Sequence, residues 1–357
     1  MDYRDNWEKS KERLSAFLKC ELIDRCCVSI IAPKSGRSNL QEPLPEKTED
    51  KIRYWTDGEW IIKRNKTFFE NTYFGGEAFP QIWLNLGAAG TAGFFKNVRH
   101  QFEDTVWFFP FINDWERDKL EFDPESFLYK KTVELAKYFV NESKGSFFVS
   151  MADLSGNADS LAHMRGSENL LIDMLTEPEK VHDALNKIYK TWEKVTSEVY
   201  EIVRDNNDGG TCIGWLDSWG RGRHDQLQCD LSVMISPQLF DEYIVNELKA
   251  QSKIMDSCVY HFDGFEQTRH LDKILSIDTI SVIQWTCVAG QPSPLEFIPF
   301  LKKIQASGKG LLLHVNPDEI EPIMEQLSSK GLYLLVRPSS QEEGIDILKT
   351  VEKLTHE

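Results

Sequence analysis

The sequence predicts an α/β protein, specifically a single TIM-type (β/α)8 barrel over residues 1–357, with an N-terminal helical and loop extension within residues 1–80. Eight short apolar runs recur, and each is followed by a turn and a helical pattern. The runs are almost continuously hydrophobic, which is typical of parallel strands covered on both faces. No Pro- or Gly-rich linker divides the chain. An open doubly wound sheet is the alternative, although no G-x-G-x-x-G follows the first run.

The apolar runs are predicted as the barrel strands, in chain order. They cover residues 26–33, 81–87, 146–154, 211–217, 258–264, 280–286, 310–316 and 331–338. The charged stretch at residues 34–53, which contains Gly and two Pro, is predicted as a surface loop.

The segments between the runs carry helix signals. Residues 178–204 place apolar side chains at spacings of three and four, which predicts one long amphipathic helix. Asn316 followed by Pro317 combines a capping side chain with a first-turn proline. Ser236-Pro237 and Ser293-Pro294 predict helix starts in the same way.

Composition excludes several classes of protein. There are 41 Lys and Arg against 57 Asp and Glu, a net charge of −16 that repels phosphate backbones and anionic lipid, so we expect neither a nucleic acid nor a membrane partner. No apolar run is long enough to span a membrane, and the first residues do not form a signal peptide, which predicts a cytoplasmic protein. The seven scattered cysteines are predicted to be reduced thiols.

Polar and aromatic residues stand at the predicted strand ends, where the active site of a barrel forms. We therefore predict a small-molecule site there. Its candidate residues are Asn85, Asp153, Trp215, Asp217, His261, Asp263, Gln284, Trp285, His314 and Arg337.

His261 and Asp263 form the most specific pattern. Residues two apart on a strand point the same way, so the imidazole and the carboxylate can share a substrate, a proton or a metal ion. We predict that both are catalytic, together with His314, and that a zinc site is geometrically possible with one further strand-end ligand. The alternative is a histidine that is only hydrogen-bonded at a strand end.

Trp215, Gln284 and Trp285 are predicted to shape the substrate pocket, and core packing is the alternative for both tryptophans. Arg337 is predicted to hold a substrate carboxylate or phosphate, with a salt bridge to an acidic residue as the alternative. Arg223 lies in residues 219–230, which are predicted to form a lid or anion clamp, or else a solvated charged loop.

Four stretches of the sequence stand out together: FEDTVWFFPFINDWE (102–116), the segment from MADLSGNADS to EPEKV (151–181), LQCDLSVMISPQLFDEYIVNEL (227–248) and YHFDG (260–264). In these stretches the chain resembles the uroporphyrinogen decarboxylase superfamily, which includes the corrinoid-dependent methyltransferases. The resemblance covers most of the chain from about residue 80 onward and implies a (β/α)8 barrel.

Two departures from the family narrow the implied activity. The arginine-rich motif of the decarboxylase has no match after the first run, which disfavours tetrapyrrole decarboxylation. The zinc methyltransferases have a His-x-Cys and a later Cys, whereas this chain has His261-Phe262-Asp263 and, near the second position, Arg337. Thiolates suit zinc that activates a thiol acceptor, so their absence disfavours thiol methylation.

The resemblance therefore implies a methyltransferase that takes a methyl group from a small O-methyl or N-methyl substrate. The acceptor would be a corrinoid on a separate partner protein, since the chain has no D-x-H-x-x-G segment. The alternative is a cofactor-independent lyase for a small carboxylated substrate, with Arg337 or Arg223 on the carboxylate and His261 moving the proton. A non-catalytic binding barrel is a third possibility.

Overall fold

The computed structural model describes residues 1–357. Its strands are β1 (Cys27–Pro33), β2 (Thr72–Gly76), β3 (Gln81–Trp83), β4 (Arg99–Phe102), β5 (Val106–Phe109), β6 (Phe148–Ser150), β7 (Gly210–Ile213), β8 (Ser218–Arg221), β9 (His224–Leu227), β10 (Ser257–Asp263), β11 (Val282–Thr286), β12 (Gly310–Val315) and β13 (Leu332–Val336).

The α-helices are α1 (Trp7–Phe17), α2 (Thr48–Thr56), α3 (Gly58–Asn71), α4 (Phe127–Ser143), α5 (Asn157–Arg165), α6 (Ser167–Thr176), α7 (Pro178–Val203), α8 (Pro237–Leu239), α9 (Val245–Lys253), α10 (Leu271–Leu275), α11 (Ile298–Ala306), α12 (Ile320–Met324) and α13 (Gln341–Leu354). A π-helical turn, Phe240–Ile244, joins α8 to α9.

The prediction of an α/β protein with a mostly parallel sheet is confirmed. Seven strands form one sheet in the order β2-β1-β13-β12-β11-β10-β9, in which only β2 is antiparallel to its neighbour. β3 and β6 form a separate parallel pair, and β7 and β8 an antiparallel one. The Met151 amide donates to the carbonyl of Cys212 at 2.9 Å, which links the chain after β6 to β7.

The fourth predicted strand differs most from the structure. β7 ends at Ile213, and Asp217 adopts a left-handed backbone (φ 45°) that turns the chain back into β8. Residues 219–230, predicted as a lid, instead supply β8 and then β9, which joins the main sheet beside β10. The polar sequence of β9 does not look like a buried strand, yet its side chains are buried because they form hydrogen bonds inside the protein. The His224 ring, for example, lies 2.8 Å from Ser218 Oγ and 2.8 Å from Ser257 Oγ.

The helix signals are largely confirmed. The long helix runs over Pro178–Val203, and its apolar stripe is buried. Asn316 and Glu319 form a capping box, while Ser236 and Ser293 cap the turns that their prolines begin. In the extension, the predicted loop at residues 34–53 ends earlier than expected because α2 begins at Thr48.

Two further observations bear on the composition. All seven cysteines are free, and five of them are buried. No helix is both long and apolar enough to cross a membrane.

A buried ion pair anchors the start of the sheet. Glu77, with no exposed surface, accepts two hydrogen bonds from the Arg25 guanidinium, at 2.7 and 2.9 Å, and one from the amide of Val28 at 2.8 Å. Arg13 adds a third guanidinium contact at 3.2 Å. This cluster fixes the segment after β2 against β1.

We expect Glu77→Gln to lower the free energy of unfolding by about 3 to 5 kcal/mol, because it leaves the Arg25 charge buried without its counter-ion. Urea unfolding followed by circular dichroism measures the change. Glu12→Gln, on the exposed face of α1, is the matched control and should be neutral. A Glu77→Gln loss below about 1 kcal/mol would contradict this account.

Candidate functional site

The carboxyl ends of β10 and β11 bring the main candidate side chains together. These strands are parallel, with His261 opposite Gln284 and Asp263 opposite Thr286. In this register the side chains of paired residues project from the same face of the sheet. The pairing therefore sets the His261 imidazole beside the Gln284 amide.

The hydrogen bonds of His261 define its tautomer. Nδ1 lies 2.5 Å from Gln284 Oε1, which only accepts, and the Gln284 amide nitrogen in turn donates to Thr286 Oγ1 at 2.7 Å. Nδ1 therefore carries the proton, and burial lowers the pKa of His261, which favours the neutral ring. The lone pair on Nε2 is left free, 3.6 Å from Asp263 Oδ1.

Asp230 completes a group of possible metal ligands. One donor atom each from Asp230, His261 and Asp263 lies within 4.8 Å of the other two. Asp230 begins the turn after β9, and its amide donates to Asp159 at 3.0 Å, as the amide of Leu231 does at 2.8 Å. Asp159 thus holds this turn in place by accepting its first two N–H groups.

The buried carboxyl groups near this triad have no positive partner. Burial, together with the charges of Asp263 and Asp153, raises the pKa of Asp230 to about 7. Burial also raises the pKa of Asp159 to about 7 and that of Asp153 to about 8. Neither Lys nor Arg forms an ion pair with Asp153, Asp159, Asp230 or Asp263. Asp230 Oδ1 is also buried without a hydrogen bond. Charge and geometry at this point therefore suit a cation.

A cavity of about 710 Å³ lies against His261 and opens to solvent. Trp215 forms one wall, with its ring centroid 5.0 Å from that of His261 in an edge-on contact. Trp215 Nε1 donates to Gln226, which also donates to Asp153 at 2.5 Å. The wall is therefore held by a chain of buried polar groups under the site.

Four other predicted residues line the same cavity, and a fifth, Asp217, holds one of them in place. Gln284, Trp285, His314 and Arg337 contribute to its lining. Trp285 is almost fully buried and stacks on Phe262, so most of its surface serves the core. Asp217 is buried beneath Arg337 and accepts from its Nη2 at 2.5 Å, so the salt bridge considered as an alternative for Arg337 is present.

Three predicted residues lie away from this cavity. Asp153 is buried behind the Trp215 wall, and Asn85 lines a separate cavity near the end of β3. Arg223 lies at the opposite end of the sheet, just before β9 starts, with its guanidinium over the Tyr200 ring at 5.2 Å. Arg223 cannot reach a ligand beside His261, because the lid on which it was placed is the strand pair β8 and β9.

Asp230, Asp159 and Gln226 were not predicted as site residues. Asp230 and Gln226 stand on or just after β9, which was read as a loop, so strand-end logic could not reach them. Asp230 does lie within the run at residues 227–248 that carries the family resemblance.

Neither a protein-family model nor a curated protein sequence matches this chain. Among solved structures, the fold is similar to that of a methyltransferase from Methanosarcina mazei, with a TM-score of 0.63 and 13% sequence identity. The alignment covers 96% of this chain and 98% of the other. At this identity the likeness shows a shared fold over nearly the whole length.

The raised pKa of Asp230 predicts how stability depends on pH. An unfolded Asp ionises near pH 3.9, so between about pH 4 and 7 the folded state holds more protons than the unfolded state. Stability without metal must then fall as pH rises from about 4 to 7, and it levels off for this group once Asp230 is ionised in the folded state as well. We expect the melting temperature in EDTA to fall between about pH 5 and 7, and to fall less in Asp230→Asn.

Asp205→Asn is the control for this experiment, since the Asp205 side chain is 93% exposed. It should keep the wild-type slope. A wild-type melting temperature that does not change over this range, or an equal slope in Asp230→Asn, would contradict the protonation of Asp230.

Proposed function

We propose that this chain is a metal-dependent methyltransferase built on a closed (β/α)8 barrel, with a divalent cation, zinc first among them, held by Asp230, His261 and Asp263. The observation that carries the proposal is the convergence of these three donors around His261, which lines the cavity, with Asp230 Oδ1 buried and unpaired. Two donors on one tetrahedral zinc, each about 2.1 Å from it, are roughly 3.4 Å apart, close to the 3.6 Å between His261 Nε2 and Asp263 Oδ1.

Three protein ligands would leave one coordination position for a substrate atom, which is the arrangement of catalytic zinc sites. When bound, the cation supplies Lewis-acid stabilisation of the heteroatom that loses its methyl group. Gln284 fixes the ring of His261 and keeps Nε2 unprotonated, as an outer partner of a ligating histidine does. Trp215 excludes water from one side of the cavity.

The proposed substrate is a small O-methyl or N-methyl compound, and the proposed methyl acceptor is a corrinoid carried by a partner protein. The solvent-open cavity beside His261 supports this, because a protein-held acceptor needs access to the methyl group. The similar fold of the M. mazei methyltransferase also supports methyl transfer. The carbon–heteroatom bond breaks with its electron pair left on the heteroatom.

A lyase acting on a carboxylated substrate is the second candidate, and Arg337 favours it. Asp217 binds Nη2 of Arg337 and orients the guanidinium, while Nε stays unpaired in a side chain that is 45% exposed at the cavity. Burial and the nearby Arg337 charge lower the pKa of His314, so this ring offers a neutral acid or base beside the bound carboxylate.

We expect protein purified without chelator to contain about one divalent metal ion per chain by elemental analysis. His261→Ala, Asp263→Ala and Asp230→Ala should each lose it, because each removes one of three ligands. His356→Ala, an exposed histidine near the C-terminus, should retain it. Wild-type protein that neither contains nor takes up zinc, or full retention by the Asp230 variant, would overturn the metal site.

We expect the metal-loaded protein to methylate free cob(I)alamin from methoxylated aromatic or methylamine substrates. The absorbance of methylcobalamin measures this reaction. His261→Ala and Asp263→Ala should lower kcat/KM at least a hundredfold, while His356→Ala should match the wild type. Release of CO2 from a carboxylated substrate without cobalamin would instead establish the lyase. In that case Arg337→Gln should raise KM more than it lowers kcat.

A further inference from the structure

A second cavity, of about 290 Å³, lies near the end of β3, and it shares no lining residue with the cavity at His261. Its walls come from the loop after β1, from α2 and α3, from the end of β3 and from α4. They are mainly aromatic and aliphatic: Tyr54, Trp55, Ile61, Trp83, Leu84, Leu135 and Phe139.

Arg64 brings a positive charge to this apolar cavity. Its guanidinium lies over the Tyr54 ring, 3.6 Å from the centroid, and Nη1 donates to the Tyr54 carbonyl at 2.6 Å. Nε and Nη2 have no hydrogen-bond partner, and Arg64 forms no ion pair. Glu42, the nearby acid, instead accepts from the Trp60 indole at 3.0 Å. Arg64 is therefore a half-buried cation with unused donors.

Asn85 and Trp83 add two further donors to the lining, which also contains the amides of Gln41 and Asn65. Asn85 uses its oxygen to accept from the amide of Gly87 at 3.3 Å, which leaves its Nδ2 free. Trp83 Nε1 has no partner either. A lining with an unpaired guanidinium, an amide nitrogen and an indole nitrogen, set among flat apolar walls, complements a flat anion.

We propose that this cavity binds a small aromatic carboxylate, with the carboxylate on Arg64 and Asn85 and the ring between the aromatic walls. A planar guanidinium pairs with a carboxylate through two parallel hydrogen bonds, which Nε and Nη2 of Arg64 can provide. Tyr54 fixes the guanidinium plane before the ligand arrives, so little side-chain freedom is lost on binding.

The proposed ligand would sit close to the first cavity but outside it. Trp83 packs against Gly214 so closely that a Cβ there would lie 2.6 Å from Trp83 Cγ. The next residue, Trp215, forms the wall against His261. Trp83, Gly214 and Trp215 therefore separate the two cavities, and a ligand beside Trp83 would not touch the proposed metal ligands.

Calorimetric titration with benzoate tests the proposal, with benzamide as the uncharged analogue of the same shape. We expect benzoate to bind at one site per chain, and benzamide at least tenfold more weakly. Arg64→Gln and Asn85→Leu should each weaken benzoate binding at least tenfold. Arg53→Gln, which removes an exposed arginine from α2, should leave it unchanged.

The His261→Ala variant separates this site from the proposed active site, because it should bind benzoate as the wild type does. Circular dichroism verifies that each variant is folded. The proposal is overturned if benzoate does not saturate the wild type at millimolar concentration, if folded Arg64→Gln and Asn85→Leu bind it normally, or if His261→Ala abolishes binding. None of these outcomes depends on whether the chain transfers methyl groups.

Discussion

Three aspartates, Asp153, Asp159 and Asp230, lie close to one another without a lysine or arginine to balance them. An ionised carboxylate in a protein interior is costly unless it is paired, protonated or bound to a cation. Much of the local structure addresses this cost. Asp159 accepts two backbone N–H groups, and Asp153 accepts from Gln226. Asp230 Oδ1 has no such partner, so this cost is least offset at Asp230, next to His261 and Asp263.

The hydrogen-bond register of the parallel strands positions the candidate site residues beside these carboxylates. Gln284 lies opposite His261 only because β10 and β11 pair in one register, and a shift of one residue would turn the amide to the other face. β9 matters equally, because its end delivers Asp230 to the same edge. The strands β8 and β9, which follow the left-handed turn at Asp217, thus deliver the third candidate metal ligand.

The sequence predicted the features that depend on apolar periodicity. The α/β class, most strand positions and the long helix α7 follow from patterns of hydrophobic residues, which burial enforces directly. β9 was not predicted because its residues are polar. His224, Asp225 and Gln226 are buried because they form specific hydrogen bonds, and a rule based on hydrophobic periodicity cannot detect such residues. Arg223 was misplaced for the same reason, since its position depended on treating that strand as a loop.

His261, Asp263 and Gln284 could be predicted as site residues because each stands on a strand whose apolar run is clear. The convergence of His261 with Asp230 could not be predicted, since it joins residues 31 positions apart through the packing of a turn held by Asp159. The donor set that results has one imidazole and two carboxylates. Oxygen donors leave a bound cation harder and more electron-poor than thiolates would, so it would stabilise negative charge on oxygen or nitrogen better than on sulfur. This chemistry suits the proposed loss of a methyl group from oxygen or nitrogen, and it follows from the two carboxylates, Asp230 and Asp263, that stand beside His261.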